Sequence, residues 1–520
     1  MHRCFFYITI VVVLNSACTK LKEDFKGDLS APAVEGNADA LLKGVYTNMQ
    51  EVFTSHLVIF PLEELSTDEM IAPVRGTDWA DNNMWREFHL QNWTAYNPKI
   101  RDCFNALNGI AFTATDVLNY HPNPEQEAEA RFIRAWAMYL LLDMFNQVPV
   151  RAPGESVVQP SKILVGLHAL DTIIYEINES IPKLDVGPVY KANKFAALFL
   201  LMKCYLNKAV YANREHPSFS KEDMNKVIEY ADKIIEEGSF GFADNYFDNF
   251  CPDNGNRGSE NIFTIRNDRG QLTNQLLYVW LMTLHYDQFY PGWGGANGFT
   301  TLSDFYKKFD SNDKRRGINY NYNIQMFPNP GQHVNVGFLA GQQYYLFDST
   351  KLLDTIFTND ASHLPLYYTN EVRNLETGSN LRITGIRGLK YYPDFNRYDA
   401  PDNDFVFFRY PDVLLMKAEA FLRLHDGNTD PAATDIVNSI RTHSSRNASQ
   451  INNVTLDSLF DERGRELWWE GWRRQDMIRF GKFLNSFQQK DYQSDPKYLI
   501  YPIPAEQLSV NPNLVQNDGY

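Results

Sequence analysis

Apolar residues recur at helical spacing in two separate stretches of this 520-residue chain, and the long gap between them restricts the folds it can adopt. Across residues 129–147, Ala130, Ile133, Ala137, Leu141 and Met144 share one face, leaving Glu129, Arg131 and Arg134 for others. Phe195, Leu198, Met202 and Leu206 repeat the pattern over 192–207. A capping box at Ser220–Asp223 starts a third helix with the stripe Val227, Ala231, Ile234 and Ile235, and Gly238 ends it. The second stretch begins with the run 411–420. Pro431, suited to a first helical position, then opens a helix through Ile436, Val437 and Ile440. Small residues at the contacts, Ala196 and Ala231, predict close-packed hairpins. Because residues 239–409 lie between the two groups, a plain tandem solenoid is not expected.

That intervening segment has a different texture. The run Gly292 to Gly298 and the run Asn319 to Asn323 are dense in Gly, Asn and Tyr, which favours loops and short strands over long helices. The fold class read from these patterns is mainly α, a helical scaffold with an irregular, loop-rich α+β insertion. Loops held by a rigid scaffold are where binding residues concentrate.

The first residues speak to compartment. Met1-His2-Arg3 is a short basic start, and the apolar run Phe5 to Leu14 is shorter than the roughly 20 residues a membrane span needs. Ser16-Ala17 supplies the small residues of a cleavage site, and Cys18 follows at once. This resembles a bacterial lipoprotein signal, in which the Cys becomes the lipidated residue, although Asn15 departs from the usual pattern; an ordinary signal with an incidental Cys is the alternative. Lys22-Glu23-Asp24 resembles an acidic tether that routes such lipoproteins to the outer face. No further apolar run is expected to approach spanning length, and the body is read as soluble.

The net charge of −15 argues against nucleic acid as a partner, since that role needs a basic stripe. Cys103, Cys204 and Cys251 form no CxxC pair, and the first two fall in helical stretches, where Cys behaves as a small buried hydrophobe. The chain carries no GxSxG elbow, HExxH helix or Walker loop. Asp394, Asp399, Asp402 and Asp404 offer carboxylates for a structural Ca2+ ion but lack the EF-hand spacing, and a solvated loop is the alternative. No other cofactor is implied, and no enzyme.

Residues 461–481 hold the most specific pattern: Asp461-Glu462-Arg463-Gly464-Arg465-Glu466-Leu467, then Glu470-Gly471-Trp472-Arg473, then Asp476-Met477-Ile478-Arg479-Phe480-Gly481. This strongly resembles the signature of the SusD/RagB family, cell-surface nutrient-binding lipoproteins of Bacteroidetes. Tyr501-Pro502-Ile503-Pro504, Asn511-Pro512-Asn513-Leu514 and Gln516 to Tyr520 resemble the family's closing segment, and 131–149 and 408–420 match as well. Arg463 and Glu466, three apart on a helix, predict buried or half-buried ion pairs, and Trp468, Trp469 and Trp472 predict core. The resemblance implies a scaffold of four tetratricopeptide-like helix pairs with a less regular subdomain. The division that follows is a signal at 1–17, a lipid-anchored tether at 18–35, helical regions at 36–238 and 410–520, and the insertion at 239–409. It also implies a role, capture of a glycan for a SusC-type TonB-dependent transporter in the outer membrane, without hydrolysis. A peptide-binding member, or a transporter lid with little affinity of its own, are the alternatives.

In glycan-binding members the site draws on a segment before the first long helices and on the insertion. By that resemblance the expected ligand-binding residues are Asp68, Arg75, Trp79, Asp81, Trp85 and Trp93 from the first, with Tyr286, Trp293, Asn297 and Phe299 from the second. Flat rings suit the C–H faces of sugars, and carboxylates, Asn and a planar Arg suit hydroxyl pairs. The starch-binding type carries Trp where Phe299 stands, which makes a smaller platform here. Other readings stay open: Asp68 as a cap, and Trp79 and Trp93 as core.

Overall fold

The computed structural model describes residues 37–267, 282–286, 288, 295–320, 334–343, 365–377, 383–394 and 401–520. The helices predicted from apolar spacing form, and all but Tyr410–Leu424 start with a side chain that satisfies an orphan backbone N–H. Asn97 accepts from Lys99 N before Pro98–Asn119, and Asn123 closes a capping box with Gln126 before Pro124–Phe145. Asn193, Ser220 and Asp430 do the same for Lys194–Ala212, Lys221–Glu237 and Pro431–Arg441. Such caps contribute about 1 kcal/mol each. At Gly238 the backbone is not left-handed (φ −83°). Glycine is needed there because a Cβ would lie 2.5 Å from the Ile234 carbonyl oxygen.

The two helical groups are continuous in space. Pro98–Asn119 packs on Pro124–Phe145, which packs on Gly166–Ser180, then Lys194–Ala212, then Lys221–Glu237. Lys221–Glu237 packs directly on Tyr410–Leu424, which in turn meets Pro431–Arg441 and Leu456–Leu467. The chain is not a plain solenoid: the intervening segment loops out between the two helical groups, which pack on each other as one array. Its two ends are brought together by an antiparallel pairing of Asn261–Ile265 with Phe405–Arg409. One expectation changes, because Lys194–Ala212 is long and apolar enough to cross a membrane by length and composition. Most of that helix is buried inside the protein, where its apolar residues form core.

The insertion is fastened to the array by buried charge. Glu466 accepts from Arg409 Nη1 at 3.0 Å, Arg446 Nη2 at 2.6 Å and Arg315 Nη1 at 3.0 Å, and all four side chains are fully buried. Glu260 accepts one further bond from Arg409 at 2.8 Å and a two-point pair from Arg446 at 2.7 and 2.8 Å. Glu462 accepts from Arg315, Arg441 and Arg465. Arg463 does not pair with Glu466 as their spacing invites; it turns to Asp412 and Asp476, at 2.7 Å each. Trp468, Trp469 and Trp472 are buried as predicted, and Trp472 lies under the ammonium of buried Lys203 at 3.6 Å.

Burial by itself would raise the Glu466 carboxyl, but the guanidiniums of Arg446, Arg409 and Arg315 outweigh it and hold the group at about 2. A carboxyl held below its ordinary 4.5 contributes stability that is present above that value and lost as pH falls toward 2. Glu466→Gln is expected to cost about 3–5 kcal/mol near neutral pH, because it strands buried guanidiniums. In urea titrations the gap between variant and wild type should close as pH drops from about 4.5 to about 2. A gap that does not change with pH would contradict this assignment.

Candidate functional site

Segment 59–93 leaves the helical array and meets the insertion. Met70–Ile71 pairs antiparallel with Thr300–Thr301, and Val74–Arg75 pairs parallel with Leu375–Glu376. The base of this segment is tied to the 461–481 signature. Asp68 forms a two-point pair with Arg473 at 2.7 and 2.9 Å, Glu69 accepts from Trp469 N, and Glu64 accepts from Gly471 N. Burial raises the Asp68 carboxyl, and Arg473 more than offsets it, so the group sits below its ordinary value.

Beyond Arg75 the chain makes a sharply strained loop. Trp79, Asp81, Asn82 and Asn83 have φ of 58°, 30°, 52° and 65°. Asn and Asp tolerate the left-handed region, whereas a bulky Trp rarely adopts it, so the surrounding contacts must hold it there. Three hydrogen bonds do so: Trp79 Nε1 donates to Ala296 O at 2.8 Å, Trp85 Nε1 to Asp81 Oδ2 at 2.8 Å, and Tyr286 Oη to Asp78 Oδ2 at 2.9 Å. The Trp79 ring lies 5.2 Å from Phe299 and 5.8 Å from Trp85. Phe299 in turn stacks on Phe60 at 6.4 Å. Phe299 and Trp85 are buried, whereas Trp79 is half-buried.

The expected residues thus take different places. Arg75 is buried beneath the loop, donating to the carbonyls of Asn297, Gly298 and Thr384 at 2.6, 2.9 and 2.8 Å. Asn297 is buried as well, its Oδ1 taken by Arg387 at 2.9 Å. These two, with Trp85 and Phe299, form the underside against which Trp79 is set. Trp93 is engaged elsewhere: it is buried between Tyr498 and Tyr501, and its Nε1 donates to Tyr520 Oη at 2.8 Å. Trp293 lies outside the described residues, as do Cys18 and Asp399. Asp404 accepts from Thr264 Oγ1 and Asn267 N, and burial pushes its carboxyl up to about 7. Among the described residues, no group of three His, Cys, Asp or Glu side chains is arranged to hold a metal.

What reaches solvent is a ledge: half-buried Trp79, Asp78 and Tyr286, with Asp81, Asn82 and Asn83 exposed beside them. His56 stands at the edge, its ring 6.3 Å from Trp79. Burial, then Lys99, pushes its imidazole down to about 4, so it is neutral in neutral solution. Chemically, the ledge offers one flat ring flanked by carboxylate and amide groups that accept hydrogen bonds. Asp78, Asn82, Asn83 and His56 are not in the sequence-level set. The Asp81-Asn82-Asn83 run was the available signal, since Asx clusters mark tight left-handed turns.

A family model described as the SusD family matches residues 223–520, more than half of the chain. The starch-binding protein SusD of Bacteroides thetaiotaomicron is 26% identical over 494 residues, covering 89% of this chain and 85% of that protein. A SusD-like protein, P25, of Formosa agariphila is 24% identical over 492 residues, covering 89% and 83%. Among solved structures, a SusD superfamily protein of Parabacteroides distasonis superposes with a TM-score of 0.71 at 19% identity, covering 93% of this chain and 99% of that one. Surface glycan-binding protein A of Bacteroides thetaiotaomicron, solved with laminarihexaose, superposes at 0.64 and 15% identity, covering 93% and 99%.

Gly298 sets the height of the ledge. A Cβ at this position would lie 2.3 Å from the Trp79 ring and 2.7 Å from the Met282 carbonyl oxygen. Gly298→Ala should therefore destabilise the protein by about 1–3 kcal/mol in denaturant unfolding, as overpacking does. Gly241→Ala, whose Cβ meets nothing within 4 Å, serves as the neutral control.

Proposed function

The chain belongs to the SusD family, and on that premise we propose that it is a non-catalytic binding protein that captures a glycan on the Trp79 ledge. The observation that carries this reading is the Trp79 ring, held half-open on a strained loop by three side-chain hydrogen bonds, with Asp78, Asp81 and Tyr286 around it. A sugar presents an apolar C–H face to such a ring and hydroxyl donors to such carboxylates. Preset geometry lowers the ordering cost that a flexible glycan imposes on its receptor. Relatives named for binding starch and solved with laminarihexaose support the ligand class.

In this reading Trp79, Asp81, Tyr286 and Trp293 contact the glycan. Asp68, Arg75, Trp85, Asn297 and Phe299 hold the ledge in place from below, and Trp93 supports the segment that carries it. The insertion at 239–409 acts as the subdomain that completes the site. A lipid on Cys18 anchors the protein to the outer membrane, and the glycan passes to a SusC-type TonB-dependent transporter. The peptide-binding and lid readings find no comparable feature on this ledge.

Affinity electrophoresis through gels containing starch or laminarin tests the proposal. The protein should be retarded in at least one gel, and Trp79→Ala should weaken the interaction about tenfold or more, the equivalent of about 1.4 kcal/mol. Retardation that survives Trp79→Ala would remove the ledge from the site. Mobility unaffected by any neutral or charged polysaccharide would favour the lid.

A further inference from the structure

The two segments that build the ledge carry no positive charge at its level. Between Arg75 and Arg86 the chain holds no Lys or Arg, and neither does the run 270–306, which supplies Tyr286, Asn297 and Phe299. The carboxylates of Asp78 and Asp81 flank Trp79 in sequence, the first half-buried and the second exposed. Neither forms an ion pair among the described residues. Asp78 accepts from Tyr286 Oη and Asp81 from Trp85 Nε1, and the second oxygen of each makes no hydrogen bond.

Arg75 and Arg387, the cations beneath the ledge, are buried and donate to the backbone carbonyls of Asn297, Gly298, Thr384 and Thr283. Lys99 lies 5.5 Å from the buried ring of Trp85 and pairs with Asp102 at 3.3 Å. Arg86 sets its charge beside Tyr492, and the His56 imidazole is neutral in neutral solution. The hydrogen-bond donors of the ledge are committed as well. Trp79 Nε1 is spent on Ala296 O, Trp85 Nε1 on Asp81 and the Tyr286 hydroxyl on Asp78. Around its ring the ledge therefore shows solvent carboxylate oxygens, with the uncharged amides of exposed Asn82 and Asn83 beside them. A sugar hydroxyl donates to such oxygens, whereas an ionised carboxylate or sulfate ester only accepts, and it brings like charge.

On the reading that the ledge holds the glycan, we propose that Asp78 and Asp81 make it selective for uncharged glycans, turning away chains that carry carboxylate or sulfate groups. Like charges about 4 Å apart near a protein surface repel by more than the thermal energy, and salt weakens that repulsion. The two residues are suited to a clean substitution. Asn in place of either Asp removes the charge and keeps an oxygen to accept from Tyr286 or Trp85. At position 81, where φ is 30°, Asn also tolerates the left-handed backbone.

The test casts starch and laminarin in native gels, each beside its own carboxymethylated derivative, so that the paired ligands differ in charge on one backbone. Wild type should bind the neutral form about tenfold or more tighter than the charged one, the equivalent of about 1.4 kcal/mol. Asp78→Asn combined with Asp81→Asn should cut that ratio to about threefold or less. Each single variant should cut it part-way, which keeps the ratio measurable if the double variant binds weakly. Glu179→Gln combined with Asp435→Asn removes as much charge from exposed positions on two scaffold helices and should leave the ratio unchanged. Equal retardation of wild type by both forms, lost in Trp79→Ala, would keep the ledge as the site and overturn the selectivity. A ratio that shifts as far in the scaffold variant would trace it to net charge, and one that no variant moves would trace it to shape; either result overturns the proposal. Retardation absent from every gel, or indifferent to Trp79→Ala, would remove the ledge as the glycan site and the selectivity with it.

Discussion

The carboxylate of Glu466 is the point on which the two parts of this protein meet. Three guanidiniums converge on it from separate places in the chain: Arg315 from the insertion, Arg409 from the strand that returns from it, and Arg446 from the turn that follows the Pro431–Arg441 helix. Taking so many charges out of water is expensive, and apolar residues of the same volume would often serve stability as well. What a charge network supplies instead is geometry. Apolar surfaces slide at small cost, whereas a guanidinium fork fits a carboxylate in very few orientations. The position of the insertion over the helices, and therefore of everything built on it, inherits that precision.

The scaffold was largely legible in the sequence because helices announce themselves locally. Cap residues, a proline in a first turn and a stripe three or four apart all fall within a single turn or two. The continuity of the array was not legible. Nothing near Lys221–Glu237 or Tyr410–Leu424 says that these helices touch, since their contact is decided by a strand pairing between residues far apart in sequence. The ion pairs misled for the same reason. Arg463 and Glu466 are neighbours on one helix turn, yet each finds better-placed partners from other elements, and tertiary contacts override a modest local preference.

The site was legible as a neighbourhood and not as a set of contacts. Composition and spacing can say that rings and carboxylates are numerous in residues 68–93 and rings in 282–299, but not which of them face outward. Trp79 and Trp85 lie six positions apart and have the same chemistry. One is half-open on a left-handed turn, and the other is sunk beneath it with its N–H spent on Asp81. Arg75 illustrates the limit further. A planar guanidinium is an apt sugar ligand, but here it is consumed by backbone carbonyls that shape the turn at Asn297 and Gly298. Such roles depend on where the backbone strain is placed, and strain leaves little trace in a single sequence beyond an unusual run of Asp and Asn.

The pairing of Asn261–Ile265 with Phe405–Arg409 makes the helical array a chassis with a closed socket. Because the socket is sealed by its own hydrogen bonds, what is threaded between residues 266 and 404 can change in length while the helices on either side keep their register, provided that Arg315 still reaches Glu462 and Glu466. Closing a longer loop is entropically mild, about 0.6 kcal/mol for each doubling. A lineage built on this plan can therefore exchange the part that meets the outside world without rebuilding the part that folds, and relatives need share few surface residues to share one architecture.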